Sequence, residues 1–295
     1  MLSLRILEII FPLVAIATVG FLYGRKHRPE MEVANRINLG VFVPALVFST
    51  MSSQTFDLAT YTPLALATTI IVLGTGLIAW PVARLAGFSA KTFVPPIMFV
   101  NSGNMGLPLL LLTFGEEVMA AAMVLFLIEN TLHFMVGVYM LDRAAKLLTV
   151  FRQPIVLAAI FGVGFSFSGF HLPATAALPI EMLGQISVPL MLFSLGVRLA
   201  YADLGEWRIG LAAAVITPVI GVAAALVIVW LFGMEGIFAG ALVLFGALPP
   251  AVLNYILAEQ YRQEPAKVAS IVIIGNLFAL VSIPLTLAYV LPTYG

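Results

Sequence analysis

Residues 91–108 read Lys91-Thr92-Phe93-Val94-Pro95-Pro96-Ile97-Met98-Phe99-Val100-Asn101-Ser102-Gly103-Asn104-Met105-Gly106-Leu107-Pro108. The flanks are apolar enough for a membrane helix, yet the middle gathers two amides, a hydroxyl, two glycines and a proline. Proline removes a helical donor and clashes with the carbonyl four residues back, and adjacent glycines permit unwinding. A second apolar stretch has the same character, with Gly246-Ala247-Leu248-Pro249-Pro250 near its centre and Asn254 just beyond. A single proline is satisfied by a simple kink. Two such clusters, each at the middle of a span, predict a pair of unwound helices. In hydrocarbon these survive only against protein or a watery cavity.

The rest of the chain supports a membrane setting. Of its 295 residues, 62% are apolar and only 9% charged, against about 25% charged in a soluble domain. The mean hydropathy is +1.10. A soluble protein of this composition would have too little polar surface to face water. With no cysteine, disulfides and cysteine-based metal sites are excluded, and no metal or cofactor is expected. The formal net charge of zero argues against nucleic acid as a partner.

A membrane helix needs about 17–25 mostly apolar residues. Cutting at charge clusters and Gly/Pro/Asp-rich breaks predicts ten spans, at residues 4–24, 36–52, 62–84, 91–113, 117–141, 154–169, 175–198, 209–232, 236–258 and 267–291. The second and sixth are short, which requires a thin region or supporting neighbours. The first carries Glu8, lacks a small-x-small cleavage site and is followed by Arg25, Lys26 and Arg28, so it reads as a retained span rather than a signal peptide. Thirteen of the fourteen basic residues fall in the connections after spans 1, 3, 5, 7 and 9, among them Lys146 and Arg198. The exception is Arg5. Positive residues mark the cytoplasmic side, so the expectation is a multi-pass inner (cell) membrane protein with both termini periplasmic or extracellular.

The chain also repeats itself. Val43-Pro44-Ala45-Leu46-Val47-Phe48-Ser49 matches Val188-Pro189-Leu190-Met191-Leu192-Phe193-Ser194 at four of seven positions, 145 residues apart. Near the same offset, Leu127-Ile128-Glu129-Asn130 faces Ile273-Ile274-Gly275-Asn276, and the two proline-broken spans face one another. The predicted organisation is a first five-helix repeat at 1–141, a cytoplasmic linker at 142–153 and a second repeat at 154–295. Because five is odd, the copies enter the membrane with opposite polarity. Inverted repeats are a common construction of secondary transporters.

Asn101-Ser102-Gly103-Asn104-Met105-Gly106-Leu107-Pro108-Leu109 resembles the span-4 signature of the auxin efflux carrier family. Ala247-Leu248-Pro249-Pro250-Ala251-Val252-Leu253-Asn254-Tyr255-Ile256-Leu257-Ala258-Glu259-Gln260-Tyr261 resembles its span-9 signature. This family includes plant PIN proteins and bacterial carboxylate carriers, and shares its wider fold with bile-acid/sodium symporters. The resemblance covers all ten spans, without the long cytoplasmic loop of the plant type. It implies an all-α membrane protein of two inverted five-helix repeats, with broken helices 4 and 9 crossing in a transport domain beside a scaffold domain. It further implies homodimers and organic-anion substrates.

Substrate is expected at Asn101, Ser102, Asn104, Pro108, Pro249, Pro250 and Asn254. New half-helices starting near Gly106-Leu107-Pro108 and Pro249-Pro250 would each present free N–H groups and a positive dipole end to an anion. No Lys or Arg falls near the middle of any span. Glu129 lies at the centre of span 5 with His133 at i+4, where a carboxylate costs at least about 2.5–3.5 kcal/mol and marks function by default. Glu129, His133, Asn130 and Asn276 are therefore the candidates for proton or ion coupling, His being the side chain that titrates near neutrality. Their structural alternative is hydrogen bonding that glues helices together. Gln185 is a further candidate cavity residue. Glu181 and Glu8 read as interfacial, and Gly74 and Gly76 as close packing.

The function these features point to is a secondary carrier of small organic anions, most simply carboxylates, working by an elevator-like movement of the crossing. A sodium-coupled symporter of the bile-acid type is the alternative, since Asn101, Ser102, Glu129 and Asn254 could gather oxygens around a cation. An enzyme is not expected: His27, His133 and His171 lie far apart in the chain and no Gly-x-Ser-x-Gly nucleophile motif is present. A receptor would need a soluble output domain.

Overall fold

The computed structural model describes residues 2–53, 58–144, 147–168, 172–201 and 205–295; Lys146 and His171 lie outside the described residues. Among these the fold is all helical, apart from one isolated antiparallel bridge between Val100 and Pro250. Helix α1 (Leu2–His27) is followed by α2 (Met31–Ile37), which runs through a π-helical turn at Asn38–Phe42 into α3 (Val43–Ser53). Then come α4 (Leu58–Leu85) and α5 (Ala90–Met98), a π-helical turn at Ser102–Gly106, and α6 (Leu107–Phe114). Helix α7 (Met119–Leu132) continues through a third π turn, His133–Gly137, into α8 (Val138–Leu141). The second half holds α9 (Pro154–Ser168), α10 (Ala174–Leu199), α11 (Trp207–Phe232), α12 (Gly236–Gly246), α13 (Leu253–Gln260) and α14 (Pro265–Tyr294).

Among the described residues, seven helical segments are long and apolar enough to cross a membrane, and three apolar ones, Ser102–Phe114, Pro154–Ser168 and Gly236–Gly246, are shorter. The second span is longer than expected. Helix continues back from residue 36 to Met31, giving the 22-residue run Met31–Ser52, so Asn35 sits inside a helix rather than before it. The ends follow local chemistry: α11 stops at Gly233, left-handed at φ 60°, where a missing Cβ removes the steric cost. Large apolar side chains face outward, among them Phe11, Leu77 and Trp230, as lipid rather than water would allow.

The helices form two packed groups. Helices α1, α3, α9 and α10 make one, and α4, α5, α7, α11, α12 and α14 the other. Each group draws on both halves of the chain. Within the first, a Cβ on Gly20 would collide with the Phe193 carbonyl and one on Gly196 with that of Ala17, so α1 and α10 touch backbone to backbone. Gly221 and Gly246 do the same for α11 and α12. Small residues at such contacts let membrane helices gain van der Waals packing where no hydrophobic force acts between them. Gly76 is likewise packed, against Met98; Gly74 has open space beside it and is not a packing residue.

Candidate functional site

Between α5 and α6, and between α12 and α13, the backbone leaves the helical path, and the two breaks pair with each other. The Asn101 N–H donates to the Pro249 carbonyl at 2.7 Å and the Ala251 N–H to the Phe99 carbonyl at 2.9 Å. Side-chain amides add further bonds to the backbone carbonyls around the breaks. Asn254 Nδ2 donates to the Phe99 and Ala251 carbonyls at 2.9 and 3.0 Å. Asn276 Nδ2 donates to those of Pro250 and Val272 at 3.0 and 2.8 Å, while its Oδ1 accepts from Asn101 Nδ2 at 2.9 Å. Gly275 makes this approach feasible, because a Cβ there would lie 2.6 Å from Pro250 Cδ. An unsatisfied polar group in hydrocarbon costs several kcal/mol, so these asparagines are what permit the broken backbone.

The paired breaks form one wall of a cavity of about 320 Å³ at the seam between the two helix groups. Val100–Asn104, then Phe126, Glu129, Asn130, His133 and Phe134 of α7 and its π turn, and Ala251–Leu253 line one side. Asn35, Asn38, Leu39, Met191, Ser194 and Arg198 line the other. All three π turns contribute residues to this cavity, and such turns are often retained at functional sites. The half-helices open onto it. The amides of Gly103 and Asn104 at the first break, and of Val252 and Leu253 at the second, have no backbone acceptor among the described residues. All four residues line the cavity. Two helix starts thus present unpaired N–H groups to one space, the arrangement that attracts anions. The starts lie elsewhere than the prolines suggested. The first is at Ser102, ahead of Pro108, which sits in the first turn of α6, and the second is at Leu253, beyond Pro249 and Pro250.

Beside the first break, Ser102 Oγ donates to Glu129 Oε2 at 2.7 Å. His133 Nδ1 stands 3.7 Å from Glu129 Oε1, one turn along α7, and its ring stacks on Phe99 at 4.2 Å and 6°. Glu129 is 3% exposed and His133 2%. Glu129 Oε1, His133 Nε2, Asn130 Nδ2 and Asn254 Oδ1 are all buried without a hydrogen-bond partner. A cluster this buried and this incompletely satisfied is poised to take a proton, a water or a cation.

The structure therefore divides the residues singled out above. Asn101, Ser102, Asn104, Glu129, Asn130 and His133 share the cavity wall, whereas Pro108, Pro249, Pro250, Asn254 and Asn276 are buried behind it. Asn254 uses both amide hydrogens on carbonyls, so in this state it braces the break and has none left for a ligand. Gln185 lines a separate cavity of about 760 Å³ with Glu116 and Glu181. Asn35, Asn38, Ser194 and Arg198 were missed. The signal was the Asn35/Asn38 spacing on one face of the second span, while Arg198 was assigned to a connection although it lies in the last turn of α10.

Residues 144–287 match the family described as membrane transport protein. The chain is a multi-pass membrane transporter. It is 22% identical to an uncharacterized transporter of Methanocaldococcus jannaschii over 97% of this chain and 98% of that one. It is 30% identical to auxin efflux carrier component 1 of Arabidopsis thaliana over 47% of this chain, which spans only 23% of the plant protein. A Rhizobium meliloti protein named "Putative malonate transporter" is 27% identical over 62% of each chain. The chain is thus similar to membrane transporters, with auxin efflux carriers among the relatives it matches over part of its length.

Proposed function

We propose that this protein is a secondary carrier of small organic anions, carboxylates in the first place, with the substrate held where the two breaks pair. The observation that carries this reading is the convergence of four unpaired amides, from two helix starts, on a single cavity. Each helix start adds about half a positive charge, and Asn101 and Asn104 add side-chain donors beside them. The malonate in the name of the Rhizobium relative agrees with this chemistry. In this reading the breaks are crossing helices of two inverted five-helix repeats, making ten spans in all. The group with α4, α5, α7, α11, α12 and α14 then moves as an elevator against the group with α1, α3, α9 and α10. The cavity lies on the seam such a movement needs.

Glu129 is the coupling residue of this carrier, titrating with His133 as its neighbour. The orphaned oxygens of Glu129 and Asn254 favour a second reading of the coupling step, in which sodium is bound there instead. Purified protein in liposomes, given labelled malonate under an imposed proton gradient and then an imposed sodium gradient, tests both. Accumulation driven by protons alone supports Glu129 as proton carrier, accumulation driven by sodium supports the second reading, and uptake of no carboxylate removes the anion reading.

A further inference from the structure

The cavity has a second polar end that the paired breaks do not supply. Met191 on α10 packs beside Gly103 at the first break, and Arg198 follows it on the same helix, lining the same cavity. The seven-residue separation places the two about 10 Å apart along the helix axis. Helical side chains lean toward the N-terminus, a direction that shortens that gap. Ser194 Oγ donates to Asn35 Oδ1 at 2.7 Å, which orients Asn35, itself a lining residue of the cavity. Asn38, one turn further on, has a buried carbonyl oxygen with no partner.

Arg198 brings the one permanent positive charge among the described lining residues. It forms no ion pair within 4.0 Å among the described residues. Its acidic neighbour Glu259, on α13, interacts with it only at longer range and instead accepts the Tyr255 hydroxyl at 3.1 Å. A half-buried guanidinium with no directly paired carboxylate among the described residues has room for one, and its planar fork matches a carboxylate in bidentate fashion.

We propose that Arg198 binds the second carboxylate of a short dicarboxylate whose first carboxylate occupies the amides of the paired breaks, so that this residue makes the carrier prefer dianions over monoanions. The proposal rests on the anion-carrier reading, and its test separates the two. Uptake of labelled malonate and labelled acetate is measured in proteoliposomes for the wild type, Arg198→Gln and Arg198→Lys. The expected result is a malonate KM raised about tenfold or more in Arg198→Gln, the scale of one lost charged contact. The acetate KM and both kcat values stay within about twofold, and Arg198→Lys is intermediate because it keeps charge without the fork. If Arg198→Gln does not reach the membrane, Arg198→Lys decides alone by the same split between malonate and acetate. An unchanged malonate KM, or equal losses for both anions, overturns the role of Arg198 while leaving the carrier reading intact. A wild type that takes up neither anion overturns the carrier reading and this proposal with it.

Discussion

Asn101 donates its backbone N–H to the carbonyl oxygen of Pro249 at 2.7 Å, joining two chain breaks that are almost 150 residues apart in sequence. Pro249 itself gives no N–H; the Pro250 carbonyl has side-chain help alone, and the Phe99 and Ala251 carbonyls take it beside one backbone N–H each. Asn254 and Asn276 give that help and so hold open the space that Asn101 and Asn104 face.

Losing a brace should therefore cost stability. Asn276→Ala strands the Pro250 carbonyl and one Asn101 amide hydrogen, and Asn254→Ala removes one of the two hydrogen bonds that each of the Phe99 and Ala251 carbonyls accepts. Each is expected to lower stability by about 1–3 kcal/mol, read as a lower thermal midpoint of the detergent-purified protein. An unchanged midpoint in both would mean that water replaces these amides freely.

Glu129 should separate coupling from movement. With Glu129→Gln the Ser102 hydrogen bond can be kept while the titrating proton is lost, so proton-driven accumulation is expected to vanish and malonate exchange across the membrane to persist. Accumulation at the wild-type level in this variant would make Glu129 a structural residue. His133→Gln should shift the pH optimum of uptake, because the imidazole stands 3.7 Å from that carboxylate.

The proposed topology has its own check. Thirteen of fourteen basic residues fall in alternate connections, so alkaline phosphatase fused to the C-terminus should be active and green fluorescent protein fused there should be dark. The reverse pattern would require one span more or fewer.

Much of this architecture was legible because the signals are local. Long apolar runs marked the helices, and Pro95, Pro96, Pro108, Pro249 and Pro250 among glycines and asparagines marked the breaks. What was not legible depends on contacts across the chain. Nothing near Asn254 or Asn276 says that their amides turn toward backbone carbonyls instead of a ligand, since that is decided by Phe99 and Pro250 on other helices. Arg198 was set aside because a charge at a span's end reads as a connection, yet α10 runs on to Leu199 and its last turn faces the cavity. The π turn at Ser102–Gly106 moved the first helix start ahead of Pro108, a shift that proline position alone does not encode.

The central claim is that an anion sits against the paired breaks, and Asn104 tests it most cleanly. Its side chain lines the cavity, is only partly buried and makes no hydrogen bond among the described residues, so removing it disturbs no brace. The measurement is malonate affinity of purified wild type and Asn104→Ala, with the thermal midpoint recorded for both. The account predicts an unchanged midpoint and an affinity weaker by about tenfold or more, the loss of one hydrogen bond to a charged group at about 1.5–3 kcal/mol. Equal affinities for the two proteins would contradict it, and would place the substrate away from the breaks.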